Sequence, residues 1–440
     1  MHLFLIGAGH VGLVTAAGLA RLGHQVTVAD IDEPRIEGLR EGIAPVYEPG
    51  LEDALRAATA AGRLAFTTDL APPSDASISI VTVSTPTGPD GPLSTANVEA
   101  VVRGLLAATD ASHTIVVRST LPVDGPARLR ALRGEDAGAA RAAIVTNPEF
   151  MREGTALRDF ERPDRLVVGW LDERDQAAAE AVLGLYDGID AKTLVADASS
   201  VAMIKLATNV FLATKVAYAN ELARICDVVG ADVDIVADGI GLDPRIGRAF
   251  LNAGPGYGGS CLPEQAVALK LITEARDIPT PLIDAVSHSN ETHQRAIVHR
   301  LAAELAGNGG NGRDESLAGC RIAVLGLSFK ANTDDVRESP ALALAGYLRE
   351  AGASVVGTDP RAIAKARRAD ANLETAESVQ DAVAGADAVL VATEWAEFAD
   401  LDWPALAGTM RGDLVYDTRD VVPADAVRAA GLRYVSLGRG

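Results

Sequence analysis

One cysteine of this chain stands in a glycine-rich loop. Cys261 follows the run GPGYGGS at 254–260 and is itself followed by Leu262 and Pro263. A free cysteine is most often a small buried hydrophobic residue. A thiol on a loop whose backbone can approach a ligand closely instead suits nucleophilic attack. Both interpretations stand, and the glycines make Cys261 a candidate nucleophile.

A dinucleotide fingerprint lies near the start of the chain. Gly7-Ala8-Gly9-His10-Val11-Gly12 follows an apolar segment at 2–6 and precedes a helical pattern. Asp30 lies at the distance where a carboxylate reaches the hydroxyl groups of the adenosine ribose. It predicts NAD rather than NADP, whose 2′-phosphate would meet a like charge, although Arg35 leaves NADP open. A reactive thiol together with a nicotinamide cofactor suits the oxidation of an alcohol past the aldehyde.

Lys205 and Asn209 lie four positions apart in a helical pattern, so both side chains project from one face. An ammonium and an amide could together stabilise an oxyanion. The alternative is a solvated lysine beside a surface asparagine. Apolar neighbours indicate a largely buried helix instead: Met203, Ile204, Leu206 and Phe211. A buried lysine requires a partner, which favours a functional role.

The segment Asn147-Pro148-Glu149-Phe150-Met151-Arg152-Glu153-Gly154 carries two carboxylates four positions apart. It follows a strand-like run, and doubly wound folds bind ligands at the ends of their strands. On its own the pattern also describes an ordinary surface turn.

Alternating strands and helices must position these residues. Apolar segments bounded by turn residues predict strands at 2–6, 25–29, 78–83, 114–117 and 166–169, with a helix at 11–21. This alternation is typical of a doubly wound parallel sheet. A helical pattern from Ser199 to about Val229 exceeds the usual ~8–20 residues and predicts a spine between domains.

A glycine and asparagine tract, GNGGNG at 307–312, predicts a linker. After it, the sequence repeats the strand, helix, strand order of its first segment. The predicted strands are 321–325 and 354–357, the predicted helix is 340–351, and Asp359 follows the second strand. We therefore predict an α/β protein in which two Rossmann-like doubly wound lobes are joined by a long central helix region. The predicted divisions are 1–198, 199–306, a linker at 307–317, and 318–440.

The composition excludes several classes of protein. A net charge of −20 disfavours nucleic acid and anionic membranes as partners. Three widely spaced cysteines fit a reducing compartment and predict neither a disulfide framework nor a metal site. We expect no apolar window of the roughly 18 residues that span a membrane and no leader peptide, and hence a cytoplasmic protein.

Motifs spread over essentially the whole chain resemble those of the UDP-glucose/GDP-mannose dehydrogenase family. They are Thr85-Pro86-Thr87, Arg118-Ser119-Thr120, 147–154, Lys205 with Asn209, Arg245-Ile246-Gly247, 254–263 and FKANTDDVRES at 329–339. The resemblance implies a homodimeric NAD-dependent enzyme that oxidises the C6 hydroxyl of a nucleotide sugar twice. It implies NAD binding by 1–198, dimerisation and active-site residues in 199–306, and nucleotide-sugar binding by 318–440.

The resemblance also implies roles for individual residues. Cys261 would trap the aldehyde as a thiohemiacetal that is oxidised to a thioester, while Lys205 and Asn209 would stabilise the oxygen on C6. Thr120, Glu149 and Glu153 would hold cofactor, substrate and the catalytic water. Further implied cofactor contacts are Thr85 and Arg337. Further implied substrate contacts are Phe150, Arg152, Arg245, Phe250, Leu251, Asn252, Gly254, Tyr257, Gly258, Lys330 and Arg419, with Arg245 reaching the substrate of a neighbouring subunit.

The chain departs from the family pattern directly after the cysteine. Where the family has lysine and aspartate, this sequence has Glu264 and Gln265. A carboxylate near the pyrophosphate would be repulsive, and a neutral amide can orient water or thiol but cannot accept a proton. Ala202 is a minor third difference, at a position where many relatives have glutamate.

The sequence is compatible with three functions. The first is the complete double oxidation, with Glu149, Glu153 and water compensating for the missing aspartate. The second is a variant enzyme that stops at the aldehyde or acts redox-neutrally as an epimerase. The third is a binding protein without turnover, against which the thiol of Cys261 argues. UDP-glucose is the preferred substrate, because the run at 254–257 resembles the UDP-glucose branch of the family.

Overall fold

The computed structural model describes residues 1–88, 91–135, 142–307 and 316–439. By its internal contacts the chain divides into two compact units. The first unit comprises 1–208 with 267–278, and the second comprises 209–266 with 279–440. Most of the predicted linker, at 308–315, lies outside the described residues.

The first unit is built on one sheet. Its strands are β1 (His2–Ile6), β2 (Gln25–Ala29), β3 (Leu64–Thr67), β4 (Ile78–Val81), β5 (Thr114–Val117), β6 (Ala143–Thr146), β7 (Arg165–Trp170) and β8 (Lys192–Asp197). They lie in the order β3-β2-β1-β4-β5-β6-β7-β8. The first six strands are parallel and repeat the strand order of dinucleotide-binding folds.

The expectation of a wholly parallel sheet is wrong at one pair of strands. β7 runs antiparallel to β6, with Val145 opposite Trp170, and β8 then pairs parallel to β7. The segment 147–164 between β6 and β7 includes a helix at Ala156–Glu161, so it is long enough for a parallel crossover, and the length of the connection does not explain the reversal. The last two strands therefore extend the Rossmann sheet in the reverse direction.

Helices cover this sheet. They are α1 (His10–Arg21), α2 (Glu33–Arg40), α3 (Leu51–Ala60), α4 (Ala96–Ala108), α5 (Gly125–Glu135), α6 (Ala156–Glu161) and α7 (Gln176–Val182), with short 3-10 turns at Glu173–Asp175 and Leu183–Tyr186. Close packing depends on small residues, since a Cβ on Gly18 of α1 would lie 2.2 Å from the ring of Phe160 in α6. The side chains of the central strands are buried, as expected for a sheet covered on both faces.

Four helices follow the first sheet: α8 (Ala198–Val229), α9 (Val233–Gly241), α10 (Cys261–Glu274) and α11 (Pro281–Leu305). The predicted long helix is confirmed and begins one residue earlier than expected. Both α8 and α10 continue across the boundary between the two units. Lys205 on α8 therefore belongs to the first unit, and Asn209, one turn later, belongs to the second.

The second unit contains a second parallel sheet. Its elements are β9 (Arg321–Leu325), α12 (Pro340–Glu350), β10 (Ser354–Thr358), α13 (Ile363–Ala369), β11 (Glu374–Thr375), α14 (Val379–Val383), β12 (Ala388–Val391), a 3-10 turn at Ala396–Asp400, α15 (Trp403–Ala407), β13 (Leu414–Asp417), α16 (Ala424–Ala429) and β14 (Arg433–Ser436). The strand order β11-β10-β9-β12-β13-β14 matches that of the first six strands. Two Rossmann-like lobes are thus confirmed. The three-part division at 198 and 306 stays a prediction.

Helix α8 is long and apolar enough to cross a membrane by length and composition alone. The expectation that no such window exists is therefore wrong. A buried core helix satisfies the same criterion, and α8 carries the buried Lys205 and Asn209. Packing inside the protein accounts for part of its apolar sequence, since 44% of the most apolar window is buried.

Candidate active site

The turn between β1 and α1 forms an open cradle. Gly7 has φ +111°, and a Cβ added to it would lie 2.7 Å from the backbone of Thr82. A Cβ on Gly12 would lie 1.9 Å from the carbonyl oxygen of Gly7, whereas one on Gly9 would meet nothing within 4 Å. Gly9 also caps α1 without a side-chain hydrogen bond. The first amides of α1 therefore face a space that suits the pyrophosphate of a dinucleotide.

Asp30 lies at the end of β2 and is largely buried. Its carboxylate accepts hydrogen bonds from the backbone amides of Ala8 at 2.7 Å and Asp32 at 3.0 Å. The guanidinium of Arg35 donates to the same carboxylate over 3.0 Å. Because Arg35 is engaged with Asp30, its charge is not reserved for a 2′-phosphate. This arrangement fits NAD.

The other predicted cofactor and substrate residues of the first unit lie at the same edge of the sheet. Thr85 follows β4, Thr120 follows β5 and Glu149 follows β6. These strands are parallel neighbours of one another, and β4 also pairs with β1, which ends at the glycine turn. The carboxyl ends of parallel strands share one edge of a sheet, where doubly wound folds bind ligands.

Lys205 and Glu149 form a buried ion pair. The ammonium of Lys205 donates to the backbone oxygen of Glu149 over 2.6 Å and to its Oε1 over 3.1 Å. The two side chains are only 4% and 7% exposed. Burial by itself would raise the pKa of Glu149, but the charges of Lys205 and Arg118 and hydrogen bonds from Lys205 and the Met151 amide hold that pKa below its ordinary value. The predicted burial of Lys205 is confirmed, together with the partner that burial requires.

Phe150 and Arg152 follow Glu149 in the sequence and contact different side chains of the first unit. Phe150 is stacked under the guanidinium of Arg165, at 4.0 Å from its ring centre, and lies 5.3 Å from the ammonium of Lys205. Arg152 is exposed and makes a two-pronged ion pair with Asp159. Its assignment as a substrate contact stays a prediction.

In the second unit, Asn209 is paired with the residue that replaces the family aspartate. The side-chain amide of Asn209 donates to Oε1 of Gln265 over 3.0 Å. Both residues are buried, at 8% and 2% exposure. Cys261 opens α10 and is exposed, so Gln265 follows the thiol by one helical turn.

Glu264, which stands where the family pattern has lysine, lies near other acidic side chains. Glu264 is half-buried in the first turn of α10. Burial raises its pKa, Glu338 and Asp335 raise it further, and Arg337 opposes them. Arg337 itself makes a two-pronged ion pair with Asp335, through Nε to Oδ1 and through Nη2 to Oδ2. The carboxyl of Glu264 is therefore easier to protonate than an ordinary glutamate.

Three side chains that sequence reasoning missed hold the loop before Cys261. Asn220 of α8 accepts from the Gly254 amide over 2.9 Å, and His293 of α11 donates through Nε2 to the Gly254 carbonyl over 2.8 Å. Asn290 bridges the amide and carbonyl of Tyr257, at 3.0 and 3.2 Å. For Asn220 the sequence signal was its position on the apolar helix α8, where a buried polar residue requires a partner, whereas Asn290 and His293 lie on the mixed sequence of α11, which gave no such signal.

Backbone conformation and close contacts require glycine at several positions of this loop. Gly256 has φ +118°, and a Cβ on Gly258 would lie 2.2 Å from the carbonyl oxygen of Glu338. The Gly259 amide donates to the carbonyl of Arg337 over 3.0 Å. A side chain at Gly258 or Gly259 would force the loop away from the segment at 329–339, and one at Gly256 would meet Asn290.

The remaining predicted substrate residues also belong to the second unit. Arg419 lies against Gly254 and donates to the carbonyls of Phe329 and Ala392, both at 3.2 Å. The ammonium of Lys330 lies 5.3 Å from the ring centre of Phe329. Arg245 projects outward, 87% exposed and paired with Asp243. Phe250 adopts a left-handed backbone with φ +64°, Leu251 is buried, and Asn252 accepts from Arg248 over 2.6 Å.

Comparison with known proteins identifies these features as parts of one family. Models of the UDP-glucose/GDP-mannose dehydrogenase family match its NAD binding domain at residues 1–189, its central domain at 199–292 and its UDP binding domain at 323–424. The chain belongs to the UDP-glucose/GDP-mannose dehydrogenase family. It is therefore an NAD-dependent oxidoreductase, and its UDP binding domain indicates a nucleotide-sugar substrate.

Relatives in this family match over nearly their whole length. The UDP-glucose 6-dehydrogenase of Rhizobium meliloti (strain 1021) is 40% identical over 444 residues, covering 100% of both chains. A UDP-glucose dehydrogenase structure from Pyrobaculum islandicum is 36% identical with a TM-score of 0.86, covering 99% of this chain and 96% of that one. A UDP-D-ManNAc dehydrogenase from Pyrococcus horikoshii is 25% identical with a TM-score of 0.84 over 100% of both. Similar structures thus act on different sugars.

Proposed function

We propose that this protein oxidises the C6 hydroxyl of UDP-glucose to the uronic acid with two molecules of NAD. The observation that carries the proposal is on α8, where Lys205 and Asn209 are buried one turn apart and each is held by a defined partner. Two buried donors on one helix face suit an oxygen that develops negative charge. The likeness to UDP-glucose 6-dehydrogenases over the full length supports UDP-glucose as the sugar.

The proposed reaction balances as two oxidations and one hydrolysis. One primary alcohol and one water become one carboxylate, two hydrides leave C6 in succession, and three protons are released. When bound, NAD would supply the acceptor for the hydride of each oxidation. Residues around Gly7, Gly9, Gly12 and Asp30 would hold it, with Thr85 and Thr120 at the neighbouring strand ends.

Covalent capture on Cys261 would join the two oxidations. The thiolate attacks the C6 aldehyde, the carbon–sulfur bond forms, and the resulting oxygen takes up a proton to give a thiohemiacetal. Loss of a hydride and a proton from this adduct gives a thioester. Water then adds to the thioester carbonyl, the carbon–sulfur bond breaks, and the thiolate leaves. Holding the aldehyde on the protein prevents its loss between the steps.

The charged residues of the first unit suit different parts of this sequence. The Lys205 ammonium can stabilise the oxygen on C6 in each tetrahedral species. Glu149 stays ionised, because its pKa is lowered, and so keeps the charge of Lys205 compensated. A carboxylate of lowered pKa is a weak base, which suits orienting water better than removing its proton. Glu153, four residues later and partly exposed, is the better candidate base.

Gln265 would replace the family aspartate by orientation alone. Its Oε1 accepts from Asn209, so the Asn209 amide is held in one rotamer without a carboxylate. The amide cannot accept a proton, and any proton transfer of the hydrolysis must fall to other groups such as water and Glu153. We therefore expect the full reaction, with the hydrolysis as the step that Gln265 slows.

One measurement separates the proposal from its alternatives. The purified protein is incubated with excess NAD and, one at a time, UDP-glucose, other UDP-hexoses and GDP-mannose, while NADH per sugar consumed is counted by absorbance and mass spectrometry. Two NADH per UDP-glucose, lost in Cys261→Ser, are expected. One NADH with a released aldehyde, or none with an epimerised sugar, would show that Glu264 and Gln265 have changed the reaction. Thermal stabilisation by ligand without product would leave only a binding protein.

We also propose that the protein is a homodimer formed through α8. Phe211, Tyr218 and Ile225 lie seven positions apart on this helix and are 64%, 52% and 56% exposed. Val228 and Val229 at its end are 86% and 66% exposed. Large apolar side chains repeated on one helix face mark an interaction surface. A second copy could bury this row and bring the exposed Arg245 towards a neighbouring site. The cytoplasmic location stays a prediction.

A further inference from the structure

Glu48 is a buried carboxylate that the sequence did not single out. It is 4% exposed and accepts three hydrogen bonds. Its Oε2 accepts from the Gly154 amide and from His10 Nε2, both at 2.7 Å, and its Oε1 accepts from the Ala156 amide at 2.8 Å. One carboxylate therefore joins two segments that lie far apart in the sequence.

Both segments belong to the candidate site. His10 is the first residue of α1 and lies between the glycines of the cofactor turn. Gly154 has φ +80°, a conformation that favours glycine, and directly follows Glu153. The two amides bound by Glu48 thus fix the end of the loop that carries Glu149 and Glu153.

The charges around His10 favour its protonated form. Burial lowers the pKa of His10, but the hydrogen bond to Glu48 and the charges of Glu153, Glu48 and Glu149 outweigh it, so the pKa lies above its ordinary value. These carboxylates face His10 from the segment before α3 and from the loop after β6. Glu149 in turn faces Lys205 and Arg118. A protonated His10 would add a positive charge where α1 presents its amides to a pyrophosphate.

We propose that Glu48 and His10 are positioning residues that tie the NAD-binding turn to the loop at 149–156. NAD bound at the turn then fixes His10, and Glu48 passes that constraint to the backbone at Gly154 and Ala156. The NAD part rests on family membership, and the importance of the loop rests on the function proposed above. Neither residue is assigned to the chemistry itself.

The proposal gives a direction for the pH dependence of NAD binding. When His10 loses its proton, the charge of Glu48 is left uncompensated near the pyrophosphate, and the affinity for NAD falls. Glu48→Gln removes the main partner of His10, so the fall should occur at lower pH. His10→Gln keeps a hydrogen-bond donor but cannot titrate, and its affinity should vary little with pH.

Calorimetric titration of NAD from pH 6 to 9 tests this without any turnover. Wild type should lose about ten-fold in affinity across the range, and the exposed control Glu41→Gln should behave like wild type. His10→Gln should be nearly flat. A pH dependence in His10→Gln equal to that of wild type would overturn the proposal. Because no sugar is present, failure of the proposed dehydrogenation would not affect the result.

Limited trypsin digestion tests the loop directly. Arg152 is exposed and precedes Glu153, so cleavage after it, identified by mass spectrometry, reports release of the anchored backbone. NAD should protect this bond in wild type, and Glu48→Gln should be cleaved several-fold faster and gain less protection. Equal cleavage in wild type and Glu48→Gln would contradict the anchoring role. If Glu48→Gln fails to fold, His10→Gln serves for both measurements, with reduced protection by NAD expected.

Discussion

The side-chain amide of Asn209 donates a hydrogen bond to Oε1 of Gln265 over 3.0 Å, and both residues are buried. The pair joins α8 to α10 one helical turn after Cys261. It shows how this chain accommodates an amide where its family has an acid. A hydrogen bond between two neutral amides, without a charged group, therefore holds Asn209 in place.

The Asn209–Gln265 hydrogen bond should be measurable as a coupling between the two residues. Gln265→Leu leaves the buried Asn209 amide without its acceptor and should cost about 1–3 kcal/mol in the free energy of unfolding. Asn209→Leu should cost a similar amount, while the double variant should cost less than the sum. Chemical denaturation of the four proteins measures the coupling. Strict additivity would show that the pair contributes no interaction of its own.

Gln265→Asp tests the catalytic consequence of the same position. The carboxylate of the variant can accept a proton, which the amide cannot, so hydrolysis of the thioester should be faster. We expect kcat to rise by up to about ten-fold while two NADH per sugar are formed in both proteins. Rapid-quench detection of the Cys261 adduct should show less of it in the variant. An unchanged adduct level and kcat would mean that hydrolysis does not depend on residue 265.

Removal of the Lys205 ammonium should destabilise the protein strongly. Lys205→Met leaves the buried Glu149 carboxylate without its nearest positive charge, which costs about 3–5 kcal/mol for a broken buried pair. Lys365→Met is the matched control, because Lys365 pairs with Asp334 over 2.8 Å near the surface and should cost at most about 1 kcal/mol. Denaturant midpoints compare the two. The double variant Lys205→Met/Glu149→Leu should recover part of the loss, and no recovery would argue against an uncompensated charge as the cause.

His293 should make the protein sensitive to acid. Burial lowers the pKa of His293 to about 4, the Gly254 hydrogen bond opposes this, and the charge of Arg224 lowers it further. The unfolded chain therefore binds a proton more readily than the folded one between pH 6.5 and 4. The stability that neutral His293 provides is complete above pH 6.5 and falls as the pH drops, by about 3 kcal/mol in total.

His293→Gln should remove that part of the acid dependence, since glutamine can donate to Gly254 but cannot titrate. His288→Gln on the same helix is the control, because His288 is exposed. Denaturation midpoints from pH 7.5 to 4.5 provide the comparison. An equal slope in wild type and His293→Gln would exclude His293 as the source of the sensitivity.

The apolar row on α8 predicts the effect of a charge on assembly. Ile225→Glu places a carboxylate in the middle of the proposed dimer surface and should shift the protein to the monomer. Ile43→Glu is the control, since Ile43 is 57% exposed in the first lobe and lies outside α8. Light scattering after size-exclusion chromatography gives the molar mass of each. A dimer of Ile225→Glu as stable as wild type would place the interface elsewhere.

The sequence determined the elements that have local signals. The strands at 2–6 and 25–29, the glycine turn between them and the long helix that begins at Ala198 follow from apolar periodicity and from residues that favour turns. Such signals act between residues near one another in the chain, so a single sequence contains them. Resemblance to the family motifs likewise pointed to the glycine turn, Lys205 and Cys261 as candidate site residues.

Only the tertiary structure decided the direction of β7 and the partners of buried polar groups. The hydrophobic pattern of a strand is the same whichever way it runs, so the antiparallel pairing with β6 left no mark in the sequence. Glu48 reaches Gly154 across 106 positions, and His293 reaches Gly254 across 39. No local rule connects such residues, because their hydrogen bonds exist only after the elements that carry them have packed.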